Sequence, residues 1–392
     1  MFFFVKNFFV LDKSIIIQYF LGYILSYKPY NLRSFVILVE VNRYMMVGTS
    51  EIVGGKRRHN RRVKIEFKKY FLALFLLYGM QAYADVNWMS ATLDNDFFVN
   101  EDNGYTNGIY VSTYDVYDNV KSLKKSDIWV KPLMWSMSNR SIDQVVNVYS
   151  FGQTLTTPYD ISKKIPSESD LPYSAVISFT NTYITVGADY ADRASTTLGI
   201  VGPLALGEET QLAVHSVISA QDPKGWDTQL NNELVFEFSR ARTWRQWTSD
   251  SGSADLLLGV NGSLGTIKSG VSTAAILRYG ENLKESYATA LFADSRTSNP
   301  IAVNGGWFVY SGLAMKYNFN QIYTDGNTFS DSRSIDYDHN INIFALGATY
   351  SWGKGALAFA INTPFSFDED GNRHRNLDQF NSYGTLTFAW EM

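Results

Sequence analysis

From Asp85 onward the chain repeats one pattern: apolar residues alternate with small or polar ones at every second position, in about a dozen short runs. Strict alternation sends the two sets to opposite faces of an extended strand. Leu256, Leu258, Val260, Gly262 and Leu264 fall on one face, against Asp255, Leu257, Gly259, Asn261 and Ser263. Leu234, Phe236 and Phe238 alternate with Val235, Glu237 and Ser239. Phe344, Leu346, Ala348, Tyr350 and Trp352 alternate with Ile341, Ile343, Ala345, Gly347 and Thr349. Gly384, Leu386, Phe388 and Trp390 alternate with Tyr383, Thr385, Thr387 and Ala389. An apolar face ending in aromatics, backed by small or polar residues, suits a strand with lipid on one side and a packed or wet lumen on the other.

Runs of this kind lie near 86–96, 107–117, 144–156, 173–183, 192–202, 232–244, 253–264, 267–279, 305–322, 337–352, 355–363 and 381–390. They predict an all-β fold, a single antiparallel transmembrane β-barrel of about twelve strands. An even count leaves both barrel ends of the chain on the periplasmic side. The outward connections are then 97–106, 157–172, 203–231, 364–380 and one around Asp325-Gly326-Asn327. On the periplasmic side, 118–143 is far longer than the usual short turn, and the sequence offers no reason for it. No repeat of fixed period is present, which excludes solenoids and propellers.

Bulk hydropathy alone would suit a soluble protein: the mean is −0.14. The aromatic share, 15% with 25 Tyr, 26 Phe and 9 Trp, fits the two interfacial girdles of a barrel. There is no cysteine, so thiol nucleophiles and thiolate metal sites are excluded.

Lys68 to Ala84 reads KKYFLALFLLYGMQAYA: two lysines, a short apolar run and an Ala-Tyr-Ala cleavage site. This is the layout of a secretory signal peptide, cleaved after Ala84. Residues 1–67 are an anomalous amino-terminal extension, and a start near Met45, Met46 or Val63 is expected instead of Met1. The alternative is a membrane helix built from residues 14–26, whose apolar core is short and interrupted. Residues 1–69 carry 13 of the 34 basic and 4 of the 38 acidic residues, and 70–84 are uncharged. The barrel region 85–392 thus holds 21 basic and 34 acidic residues, a net of −13. That balance excludes the basic footprint of a nucleic-acid binder and suits a surface exposed to divalent cations.

Two outward segments carry candidate chemistry. Asn95 and Asp96 end the first strand, and Thr106 begins the next, after Asn103-Gly104. Carboxylate, amide and hydroxyl oxygens of this kind are the hard donors Ca²⁺ selects; the same Asn and Asp also read as ordinary loop caps. The connection from Gly202 to Glu233 has helical spacing over Glu208–Ile218, with Leu212, His215 and Ile218 on one face. His215 reads either as a general base or as a packed helix residue beside Leu212, Val214 and Val217. Ser216 is a conceivable nucleophile, but no Gly-x-Ser-x-Gly elbow accompanies it.

Four motifs occur in order: NDFF with GYTNG, SFGQTLTTPYDI, GIVGPLALGEE with VH, and GWDTQL with NE. Together they resemble the lipid A 3′-O-deacylase family of outer-membrane barrels, through most of residues 86–390. The resemblance implies a twelve-stranded barrel with its site between the wall and an outer-loop helix. It implies Ca²⁺-dependent hydrolysis of the ester holding the 3′-acyloxyacyl chain of lipid A, in lipopolysaccharide of the outer membrane, by a monomer. It implies His215 as the catalytic His, Asn95 and Asp96 as the functional Asn-Asp pair, and Thr106 as the Thr of the Tyr-Thr sequence. On this reading Asp96 holds the metal and polarises the ester carbonyl, while Asn95 or Thr106 holds metal, water or oxyanion. The family pattern has a carboxylate six residues after the His. Here Gln221 stands, with Asp222 next, so the role either shifts by one residue or is altered. A non-enzymatic barrel (porin or structural) and an outer-membrane phospholipase are the alternatives.

Overall fold

The computed structural model describes residues 87–99, 105–118, 126–137, 142–218, 220–283, 305–365 and 382–392. The expected leader and extension, His59 and His374 lie outside them. Twelve strands form: β1 Trp88–Asn95, β2 Tyr105–Asp118, β3 Ile142–Thr156, β4 Ser174–Gly187, β5 Tyr190–Val201 and β6 Glu233–Thr248, followed by β7 Ala254–Gly265, β8 Lys268–Gly280, β9 Gly306–Gln321, β10 Asn340–Ser351, β11 Gly355–Phe365 and β12 Tyr383–Glu391. Each pairs antiparallel with its chain neighbours, and β1 pairs with β12 to close the barrel. Among the described residues no helix is long and apolar enough to cross a membrane; the strands do the crossing.

The registers separate the two faces. Tyr114, Val148, Ile184, Leu257, Ile276, Phe308, Tyr310 and Ala356 meet in one buried cluster drawn from many strands, which is the lumen. Toward the periplasm the lumen is therefore packed with apolar side chains; nearer the outer rim the same parity carries polar pairs, Ser112 with Ser150, Thr182 with Ser195 and Asp94 with Thr385. Tyr110 and Tyr310 lie flat across neighbouring strands, where a Cβ at Gly152 or Gly347 would fall 2.1 or 2.3 Å from their rings. The opposite parity exposes Leu234, Leu264, Val271, Leu277, Tyr279, Leu313, Met315 and Tyr350, as a lipid-facing surface requires. Toward the periplasm, Arg278 grips Asp255 at 2.8 and 2.5 Å, with both side chains fully buried in the lumen. The carbonyl of Leu283, from the long 281–305 connection, caps Arg278 and Arg245.

The other long periplasmic connection, left unexplained by the sequence, climbs the outside of the wall. Its Val130 and Met137 pack on Val145, Tyr183 and Ala194, all of outward parity. This is why β3, β4 and β5 are buried on both faces toward the periplasm.

Candidate active site on the membrane face of the wall

At the outer rim the same wall carries a second cover. The β5–β6 connection forms a 3-10 turn, Pro203–Ala205, passes through Leu206 at φ 60°, and enters helix α1, Gly207–Ile218. Ala205 and Trp226 pack against outward-facing Leu155 and Ala175 and against Tyr173. Gln153 on the wall donates to the Ala205 carbonyl at 2.5 Å. Gly207 is required here: a Cβ would lie 2.4 Å from the Trp226 ring and 2.6 Å from the Ala175 Cβ. Trp226 leans on Tyr173 with ring centroids 4.9 Å apart. Burial pushes the Tyr173 phenol up to about 12.

Adjacent outer loops hold this cover in place. Leu230 and Lys224 donate backbone bonds to Tyr173 and Ile161 of the β3–β4 loop. Asn231 and Asn327 exchange bonds, and Glu233 accepts from the Thr328 and Phe329 amides of the β9–β10 loop.

Beneath α1 a hydrogen-bonded chain ends on His215, which is 3% exposed. Trp226 Nε1 donates to Gln211 Oε1 at 2.7 Å. Gln211 Nε2 lies 3.4 Å from His215 Nε2, and His215 Nδ1 lies 2.5 Å from the backbone carbonyl of Gln221. A carbonyl only accepts, so Nδ1 carries the proton and Nε2 is the basic nitrogen of the neutral ring.

Register places the first-strand residues on this side. Asn95 pairs with Asn107, Asn107 with Leu155, and Leu155 with Ala175, so Asn95, Leu155 and Ala175 share one outward-facing row. Asn95 thus stands two strands, about 10 Å, from a residue packed under the cover. Asp96 follows at the rim and is 3% exposed. Thr106 is the extra residue where the β2–β3 register shifts between Tyr105 and Asn107, a bulge of the kind that re-aims the chain near functional sites.

Residues 70–392 match the family described as Outer membrane protein LpxR. The chain belongs to the LpxR family. Its place is accordingly the outer membrane. LpxR from Salmonella typhimurium superposes with a TM-score of 0.59 at 15% identity, over 78% of this chain and 100% of that one. The translocator domain of autotransporter NalP from Neisseria meningitidis matches at a TM-score of 0.35 and 8% identity, over 83% and 96%. No curated protein matches the sequence.

Within this LpxR-family barrel, sequence reasoning missed Gln211 and the carbonyl of Gln221. The i, i+4 spacing of Gln211 and His215 on one helix face was the available signal. The side chains of Gln221 and Asp222 are both exposed, and the oxygen at His215 Nδ1 is main chain. Ser216 is exposed and donates to the Ala213 carbonyl of its own helix at 2.7 Å. Phe98 packs edge-on to Phe359 on the β11–β12 side, and Trp226 is buried at 2% exposure. His339 stacks on Tyr317, packs at a tilt against Tyr337 and binds the Asn318 carbonyl at 2.6 Å, a structural role.

The donor set of Asp96, Asn95 and Thr106 is one carboxylate with neutral oxygens, which suits Ca²⁺ in chemistry. Among the described residues no group of three His, Cys, Asp or Glu stands together as a metal site. A cation here would rest on a single carboxylate completed by neutral ligands.

Proposed function

We propose that this LpxR-family barrel is a Ca²⁺-dependent lipid A deacylase, a carboxylic ester hydrolase that removes the 3′-acyloxyacyl chain of lipid A. The observation that carries the reading is His215: buried, its tautomer fixed by the Gln221 carbonyl, and linked through Gln211 to Trp226, which packs on the outward face of the wall at the rim. Lipid A presented there meets the base without leaving the bilayer. The row beneath the cover supports the same reading. Val111, Phe151, Phe179 and Leu198 are register partners facing outward, with Val111 and Leu198 42% and 41% exposed, an apolar track for an acyl chain.

His215 Nε2 takes a proton from the water that attacks the ester carbonyl, and the imidazolium returns it to the departing alkoxide. The Gln221 carbonyl accepts from Nδ1–H and holds the ring's orientation throughout. Gln211, 3.4 Å from Nε2, is a weak enough partner for water to displace. Asp96, with Asn95 and Thr106, would hold Ca²⁺, which supplies positive charge opposite the developing oxyanion.

The test is incubation of the reconstituted protein with purified lipopolysaccharide and, separately, phospholipid, with and without Ca²⁺, read by mass spectrometry. Loss of the 3′-acyloxyacyl chain only with Ca²⁺ is expected. Fatty acid released from phospholipid alone would make the protein a phospholipase. No release from either lipid would leave a non-enzymatic barrel.

A further inference from the structure

We propose that residues 126–137 form a strap seated among the phospholipid acyl chains of the periplasmic leaflet, on the outside of the barrel. The parity of its contacts places it there. Val130 and Met137 pack on Val145, Tyr183 and Ala194, which face away from the lumen. Its far side presents Ile128 at 75%, Trp129 at 49% and Trp135 at 87% exposure, and outward-facing Leu198 and Trp244 on the adjacent strands are exposed as well. Large apolar side chains flanked by an apolar wall select a hydrocarbon partner over water.

Irregular backbone survives at membrane depth only when its polar groups are satisfied. The strap satisfies its own: Leu133 and Met137 amides bond to Val130 and Met134 carbonyls at 2.9 Å. The wall completes it with polar residues that would otherwise be anomalous on a lipid face. Thr196 donates to the Trp129 carbonyl at 2.7 Å, and Arg240 donates to the Ser136 carbonyl and hydroxyl at 3.1 and 2.9 Å. Asp192, fully buried, pairs with Arg240 and, at 2.8 Å, with Arg242. A charge on a bare lipid face is destabilising, most of all at the bilayer midplane; under the strap the cluster is sheltered.

Height agrees with the leaflet. The highest strap contact, at Thr196, shares a row with Asn181 and Tyr149. That row is six residues below Leu155, about 20 Å along a strand, or about 15 Å of height at the usual tilt. Since an outer-membrane barrel's apolar band is about 25 Å tall, the strap ends near mid-bilayer and leaves the outer leaflet to the His215 side.

The chain has no cysteine, so one substitution gives one labelling site. Trp135→Cys and, separately, Ile128→Cys would carry a nitroxide in the full chain, reconstituted in phospholipid bilayers. Collisions with oxygen, which concentrates in lipid, are compared with those of a water-soluble nickel chelate. Leu277→Cys on the bare wall is the lipid reference, and Ser251→Cys in the exposed β6–β7 turn is the water reference. Both strap labels should match Leu277, with an oxygen-to-nickel ratio several-fold above that at Ser251. A ratio at either strap position equal to that at Ser251 overturns the proposal.

Discussion

Gln211 joins packing to chemistry: its amide oxygen accepts a hydrogen bond from the Trp226 indole N–H and its amide nitrogen faces the His215 ring. Trp226→Phe keeps the ring but removes the donor, leaving a buried acceptor unpaired at about 1–3 kcal/mol. Carried into the barrier, that is a loss of roughly one to two orders of magnitude in lipid A turnover, with KM little changed. His215→Ala should cut turnover by about 10²–10⁴ while the barrel stays folded, as judged by its heat-modifiable gel migration. Undiminished acyl release by that variant would remove His215 from the mechanism. Tyr173 makes a pH prediction. Its phenol is pushed up to about 12 by burial, so the folded state holds this proton more tightly than the unfolded chain, near 10. The stability it contributes is full below pH 10 and is lost as pH rises through about 12. Trp226 fluorescence should report the cover loosening in that window, and Tyr173→Phe should abolish the step.

At the scale of the element, α1 depends on how it meets the wall rather than on its own propensity. Twelve residues are marginal as an isolated helix, so docking through Ala205, Gly207 and Trp226 sustains it. Gly207→Ala drives a methyl into the Trp226 ring and should cost about 1–3 kcal/mol of local stability. Activity should fall with the barrel's unfolding temperature unchanged; equal loss of both would show that the cover and barrel unfold as one unit. The helical period over Glu208–Ile218 was legible in sequence, and the structure has the helix at Gly207–Ile218. The face buried at His215 is the one shared with Gln211, which periodicity of apolar residues does not mark.

At the scale of the whole molecule, the described residues close into a barrel whose periplasmic half is filled by its own side chains. Toward the periplasm Ile276, Phe308 and Tyr310 share one buried cluster with Leu257, Ile184 and Tyr114, and the paired Arg278 and Asp255 lie buried in the lumen with them, whereas a porin lines an open path with charge. Reconstitution in planar bilayers should therefore give no steady ion conductance; ohmic channels would contradict the packed lumen. Arg278→Leu removes the close partner of buried Asp255, with Arg245 at 3.6 Å the remaining cation. Breaking such a pair costs about 3–5 kcal/mol, seen as a lower unfolding temperature.

Strand count, strand limits and the lipid-facing residues followed from the sequence alone. A strand between lipid and lumen must alternate, and alternation is a local property that each run of residues carries by itself. The oxygen at His215 Nδ1 and the course of the long β2–β3 connection came only with tertiary structure. The first is a backbone carbonyl, which no residue identity announces. The second depends on Val145, Tyr183 and Ala194, whose outward parity is the same whether lipid or chain covers them. Sequence sets which way a side chain points; what meets it there is decided by contacts between residues far apart in the chain.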